Sequence, residues 1–138
     1  MSIVQTQTTS FKKELYQGIH DLSVDSIYIA LYTADVDLNQ DTTVYSSTNE
    51  ISGTGYVAGG QIMTGVSISS SGYTAYVNWD NVVWNGALTA RCALIYNASK
   101  GNKSVAVLDF GGDKTSTAGD FTIVFPTANS TSAIIRIA

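Results

Sequence analysis

Cysteine, proline and histidine each occur once in this 138-residue chain, and only 13% of its residues are charged. The lone Cys92 excludes an intramolecular disulfide framework and a cysteine metal cluster. The lone His20 means that nucleophilic or acid–base catalysis of the common kinds would have to be built around one residue. Seven Lys and Arg against eleven Asp and Glu give a formal charge of −4. With no basic cluster, the counterion release that drives nucleic-acid binding has little to work on, so nucleic acid is not an expected partner. No run approaches the roughly 20 apolar residues of a membrane-spanning helix, so no membrane insertion is expected. The opening MSIVQTQTTSFKKEL lacks the basic-then-apolar order of a secretory signal, so any exit from the cell is expected by another route.

What is present reads as one domain, long enough for a real core. Residues 1–9 are polar and β-branched without a period and read as an N-terminal arm, either disordered or docked on a neighbour. Residues 10–138 read as a single β domain with a leading helix. Phe11, Leu15, Ile19 and Leu22 form the stripe of an amphipathic helix with Thr9 or Ser10 as N-cap, weakened within by Gly18. From Ile27 the period changes to two, with Ile27, Ile29 and Leu31 opposed to Tyr28, Ala30 and Tyr32. Residues 34–60 read as a long connection with a short strand candidate at Thr42–Ser46, and long connections in compact domains tend to be functional.

Gln61 onward reads as a hairpin whose turn is the SSSG at 69–72, leading to a strand with Tyr73, Ala75, Val77 and Trp79 on one face. Val82–Trp84 and Leu88–Asn97 follow as strands, SKGNK as a turn, and 111–119 as a loop. In SVAVLDF both parities are apolar, which predicts a central strand covered on both sides. The closing AIIRIA is strand-like and is expected to be needed for folding. The spacing predicts an all-β sandwich or barrel of about eight strands with one N-terminal amphipathic helix.

Each constellation that could carry chemistry has a plainer reading. Asp35, Asp37, Asn39 and Asp41 alternate as hard-cation ligands can, but an EF-hand loop would want Gly at position 40 and Glu at position 46, where Gln40 and Ser46 stand. A solvated acidic loop is expected. Gly53-Thr-Gly55-Tyr-Val-Ala58 has the loose spacing of a dinucleotide fingerprint, yet a strand follows and no helix N-terminus would meet the phosphate. His20 reads as decoration of a helix end. Cys92, on the parity of Ala90, Leu94 and Tyr96, reads as a small core side chain. Asp80, Asp109, Asp113 and Asp120 could supply a carboxylate pair, but strand-end positions favour turns. No catalytic residue, cofactor site or metal ligand set is assigned. Tyr28, Tyr32, Tyr76, Trp79 and Trp84 are the aromatic rings to follow, either as second-face core or as an interface or sugar platform.

The phrases FKKELYQGIHDLSVDSIYIALYT, TTVYSSTNEISGTGYVAGG, LTARCALIYN, AVLDFGGDKTSTAGDFTIVFP and AIIRIA together resemble a widespread family of small bacteriophage proteins encoded among virion structural genes. The resemblance covers nearly the whole chain, with the phrases in the family's order and spacing. It implies a virion structural protein, made in the bacterial host cytoplasm, that carries no catalytic motif. The role implied first is a capsid decoration (cement) protein bound to the major capsid protein and associating with itself as a homotrimer. The alternative is a fibre or tail-tip component that uses Tyr and Trp to hold a host surface glycan. One departure is visible: the family commonly has a small glycine where this chain has Cys92.

Overall fold

The computed structural model describes residues 2–117, 119–126, 129 and 132–137. In chain order its elements are β1 (Thr6–Gln7), α1 (Thr9–Tyr16), β2 (Ile27–Tyr32), β3 (Gln61–Ile62), β4 (Ser67–Ser71), β5 (Thr74–Asn78), β6 (Val82–Asn85), β7 (Thr89–Asn97), β8 (Lys103–Thr115), β9 (Asp120–Ile123) and β10 (Ile135–Ile137). The protein is all-β with one N-terminal helix. Its strands form a five-stranded sheet in the order β1-β8-β7-β2-β3, a three-stranded sheet β10-β5-β4 and a two-stranded ribbon β6-β9, all antiparallel.

The five-stranded sheet is apolar on both faces because β2 and β7 alternate between two cores. Ile27, Ile29, Leu31, Ala93 and Ile95 face the main core, where they meet Val77 and Ile135 of the small sheet, Val82, Trp84, Phe121 and Ile123 of the ribbon, and Phe11 of α1. Ala30, Tyr32, Cys92, Leu94 and Tyr96 face a second core. Two register shifts adjust this alternation. The first lies between Ala90 and Cys92, so Ala90 joins the main core while Cys92 joins the second, against the common parity expected of them. The other lets Val105 and Ala106 both enter the main core while Val107 enters the second, which explains the apolar residues at both parities of β8. The innermost strand is β7, with β8 one place out toward the edge.

The second core is covered by two segments whose expected roles differ. Residues 34–60 are not an open connection. Val36 and Leu38 are buried on the sheet, and Tyr45 packs beside them. The strand candidate at Thr42–Ser46 appears as a single bridge between Val44 and Lys103. The arm does not extend from the domain over its described residues 2–9. Ile3 bridges Leu38, Thr6 and Gln7 pair with Val107 and Ala106, and Gln7 Nε2 donates to the Arg136 carbonyl. β-branched residues without a period thus form an edge strand, since pairing can hold two residues that no pattern marks.

α1 begins one residue earlier than expected. Thr8 is the N-cap, its hydroxyl accepting from the Phe11 N–H at 3.3 Å. Gly18 ends the helix instead of weakening its interior: with φ +68°, it lets Gly18 N–H reach the Leu15 carbonyl and Ile19 N–H the Glu14 carbonyl. Ile19 and Leu22 therefore lie beyond the helix, although Leu22 still packs on the main core. The hairpin turns at Gly72–Tyr73, so Ser69, Ser70 and Ser71 belong to β4. The segment 61–71 is divided between two sheets, Ile62 in one and Ile68 in the other. β8 runs on to Thr115 through the first part of the expected 111–119 loop. β10 pairs with β5 along Ile135–Ile137, and Ala138 of the expected last strand lies outside the described residues. Among the described residues, no helix is long and apolar enough to cross a membrane.

Candidate functional site

Among the described residues, two polar clusters inside the domain each contain a glutamate. The first joins the exit of α1 to the end of β7. His20 Nε2 lies 2.8 Å from Glu14 Oε1, and Nδ1 lies 3.0 Å from Asn97 Nδ2. An amide nitrogen only donates, so Nδ1 is the acceptor and Nε2–H donates to Glu14. Asn97 Nδ2 also donates to Asp25 Oδ2 at 2.8 Å, and Lys100 Nζ sits 3.2 Å from Asp25 Oδ1. Burial pushes the Asp25 carboxyl up, but hydrogen bonds from Asn97, the Asp21 backbone and Lys100 outweigh it and hold it below its ordinary range. His20 is thus a buried pin packed on Phe11, four residues past the helix end it was expected to decorate. Both its ring nitrogens are committed, and its side chain has no exposed surface.

The second cluster lies where the 34–60 segment folds over the sheet. Glu50 Oε1 accepts from Tyr45 Oη at 2.6 Å, while Oε2 accepts from Tyr56 Oη and, at 2.8 Å, from the Gly59 N–H. Tyr56 Oη in turn accepts from the Leu31 N–H at 3.0 Å, and Tyr96 Oη donates to the Gly59 carbonyl at 2.6 Å. Tyr45 stacks on Tyr96 at 4.7 Å between ring centroids. Burial, with Glu50 nearby, pushes the phenol of Tyr96 up to about 12 and those of Tyr32, Tyr45 and Tyr56 higher still. These groups hold the cover on the sheet as neutral donors. Sequence reasoning missed both clusters. Their usable signals were Asn97 closing an apolar strand, and the tyrosines of the long connection falling either side of Glu50.

The remaining candidates separate. Asp35 and Asp37 are exposed while Val36 and Leu38 are buried, so the alternating acids are the outer parity of an extended cover. Asn39 Oδ1 accepts from its neighbour Asp41 N–H. Among the described residues, no group of three or more His, Cys, Asp or Glu is placed to hold a metal ion. Gly53–Ala58 lies in the cover and leads to Gly60 and β3, with no helix following. Cys92 is a buried free thiol, pushed up to about 12 by burial. Asp109 pairs with Arg91, Asp80 lies against Gly65, and Asp113 and Asp120 are exposed on β8 and β9. Tyr32, Trp79 and Trp84 are core residues; Tyr28 and Tyr76 are half-buried.

The open apolar surface is elsewhere. A groove of about 610 Å³ runs between the far half of β8 and β9, floored by Leu108, Phe110, Phe121 and Phe125 and edged by Lys114 and Asp120. Val124 stands on its lip, 72% exposed. A second groove, of about 410 Å³, separates Phe11, Leu15 and Leu22 from Ile68, Val77, Ile135 and Ile137 of the small sheet. These surfaces define an all-β domain whose grooves beside β9 and beside the small sheet are apolar. No protein-family model, curated protein or solved structure matches the chain.

Proposed function

We propose that this chain is a bacteriophage virion structural protein, and that it acts as a capsid decoration protein that binds and stabilises the major capsid shell. The observation that carries the reading is the groove between β8 and β9, an open apolar surface with a charged edge on a domain that otherwise covers both faces of its main sheet. Apolar patches with polar rims are the usual form of protein-binding surfaces. The resemblance of five phrases to virion structural proteins supplies the partner, a segment of the major capsid protein. Many modest contacts of this kind, multiplied over a symmetric shell, stabilise a particle through avidity.

The alternative role as a host-glycan module is less well supported, because Trp79 and Trp84 are buried and a sugar platform would fall to the exposed Tyr16 and Tyr73. The test is an electron-microscopy map of the particle together with re-binding of purified protein to shells stripped of it. Hundreds of copies on the capsid lattice, with occupancy reduced at least about tenfold by Val124→Asp, are the expected results. Location on the tail, or full occupancy by the variant, would overturn the proposal.

A further inference from the structure

Among the described residues, β4 is the longest outer strand. It has five residues, all exposed, against two in each edge strand of the five-stranded sheet. Sheet edges are normally blunted by charge, proline, bulges or shortness. Ser67–Ser71 has no charge and no proline, and its register with β5 is unbroken. The two-residue loop Gly72–Tyr73 makes Ser71 and Thr74 the hydrogen-bonded pair next to the turn. Bonded pairs then alternate along the ladder, so the N–H and C=O of Ile68 and Ser70 point away from β5.

The side chains on this edge are as open as the backbone. Ile68, Val77 and Ile135 lie in one cross-strand row, and Ser70, Ala75 and Ile137 in the next. Val77 and Ile135 are buried, but Ile68 and Ile137 are each 56% exposed. They form the sheet wall of the smaller groove, facing Leu15 and Leu22. Val66, just before the strand, is also exposed.

We propose that β4 pairs antiparallel with β4 of a second copy of this chain, about a two-fold axis at Ile68. The occupant is a second copy because the edge is self-complementary. A two-fold axis at Ile68 sets Ile68 opposite its own equivalent and Ser70 opposite Val66 of the second copy, so the outward N–H and C=O groups are complementary and no charge is brought across the axis. Ile68 opposite Ile68 is an apolar cross-strand pair, and a one-residue slip would turn it to the serine face. Pairing joins the two three-stranded sheets and makes the two apolar grooves continuous. This inference concerns self-association in solution and stands apart from the capsid proposal, so either can fail alone.

The test is sedimentation velocity on the full chain over a concentration series. An interface of one strand pair and a groove lip falls below the roughly 1,200 Å² of stable complexes, so a reversible monomer–dimer equilibrium in about the micromolar-to-millimolar range is expected. Ile68→Lys and Ile68→Glu should each weaken the dimer at least about tenfold with an unchanged circular dichroism spectrum. Their equimolar mixture should restore it, which damaged folding would not do. Ser70→Pro removes an outward N–H without costing a bond to β5, and should also abolish pairing. A chain that stays monomeric at every concentration, that forms the trimer implied by the family resemblance, or whose dimer is indifferent to these variants would overturn the proposal.

Discussion

Thr8 is fully buried between β1 and α1, where its hydroxyl accepts from the Phe11 N–H and lies 2.9 Å from Ser104 Oγ on β8. Thr8→Ala removes a helix cap and leaves the Ser104 hydroxyl short of a partner. It should cost about 2 kcal/mol in urea denaturation, and Thr8→Ser should recover most of that. The run Thr8-Thr9-Ser10 offers three capping hydroxyls, and the choice among them is made by Ser104, 96 positions away, which local pattern does not register. Gly60 shows the same limit. Its φ is +81°, and a Cβ there would lie 1.8 Å from the Ile29 carbonyl oxygen on β2. Gly60→Ala should therefore destabilise by about 3 kcal/mol or more, read as a shifted denaturation midpoint or loss of soluble protein. The glycine itself is visible in the sequence, whereas the backbone it approaches is set by the tertiary fold.

The 34–60 cover is held as an element by Glu50, which gathers Tyr45, Tyr56 and the Gly59 N–H. Glu50→Gln can still accept from Gly59 and Tyr56 while donating to Tyr45, and should cost about 1 kcal/mol. Glu50→Ala strips all three donors and should cost about 3 kcal/mol. Hydrogen exchange should quicken at Gly59 and Leu31 in the alanine variant while the β7–β8 ladder stays protected; uniform loss of protection would mean that the cover does not open separately. Much of this element was legible: the acids at 35 and 37 alternate because Val36 and Leu38 face inward. The polar parity marks a solvated acidic face, as Asp35 and Asp37 are, while the packing of the segment on the sheet is carried by the apolar parity. The bulge near Arg91 carries no mark of its own, and it moved Ala90 away from Cys92. A different element, the Asp25–Asn97–His20 junction, gives stability a pH dependence. The folded Asp25 pKa lies below the ordinary 3.8, so its contribution is complete above that pH and is lost as pH falls through the folded value. Denaturation midpoints for Asp25→Asn should be lower than wild type near neutral pH and converge with it as pH falls below the folded Asp25 value. Parallel curves would show that the carboxylate is not the group responsible.

At the scale of the whole molecule, the two larger sheets are tied together by segments far apart in the chain. Residues 2–7 add a strand to β8, a bridge to the cover through Ile3 and Leu38, and a side-chain bond from Gln7 to the Arg136 carbonyl of β10. β10 in turn pairs with β5, so the N-terminal segment ties the five-stranded sheet to the small one. This distinguishes two outcomes of removing residues 1–7 while keeping the Thr8 cap. A free arm would leave the thermal transition unchanged and alter only binding. A docked segment takes with it the β1–β8 pairing and the cover over part of the second core, a loss of about 2–4 kcal/mol. For a domain of this size that corresponds to a fall in Tm on the order of 10 °C. Truncation would also bare the backbone of β8 at Ala106 and Val107, within an apolar stretch whose flanking charges are Lys103 and Asp109, so the shortened protein should aggregate on heating more readily than the full chain. Calorimetry of the two chains side by side is the measurement. Coincident transitions would mean that residues 2–7 rest on the sheet without supporting it, and the binding role of a separable arm would then stand.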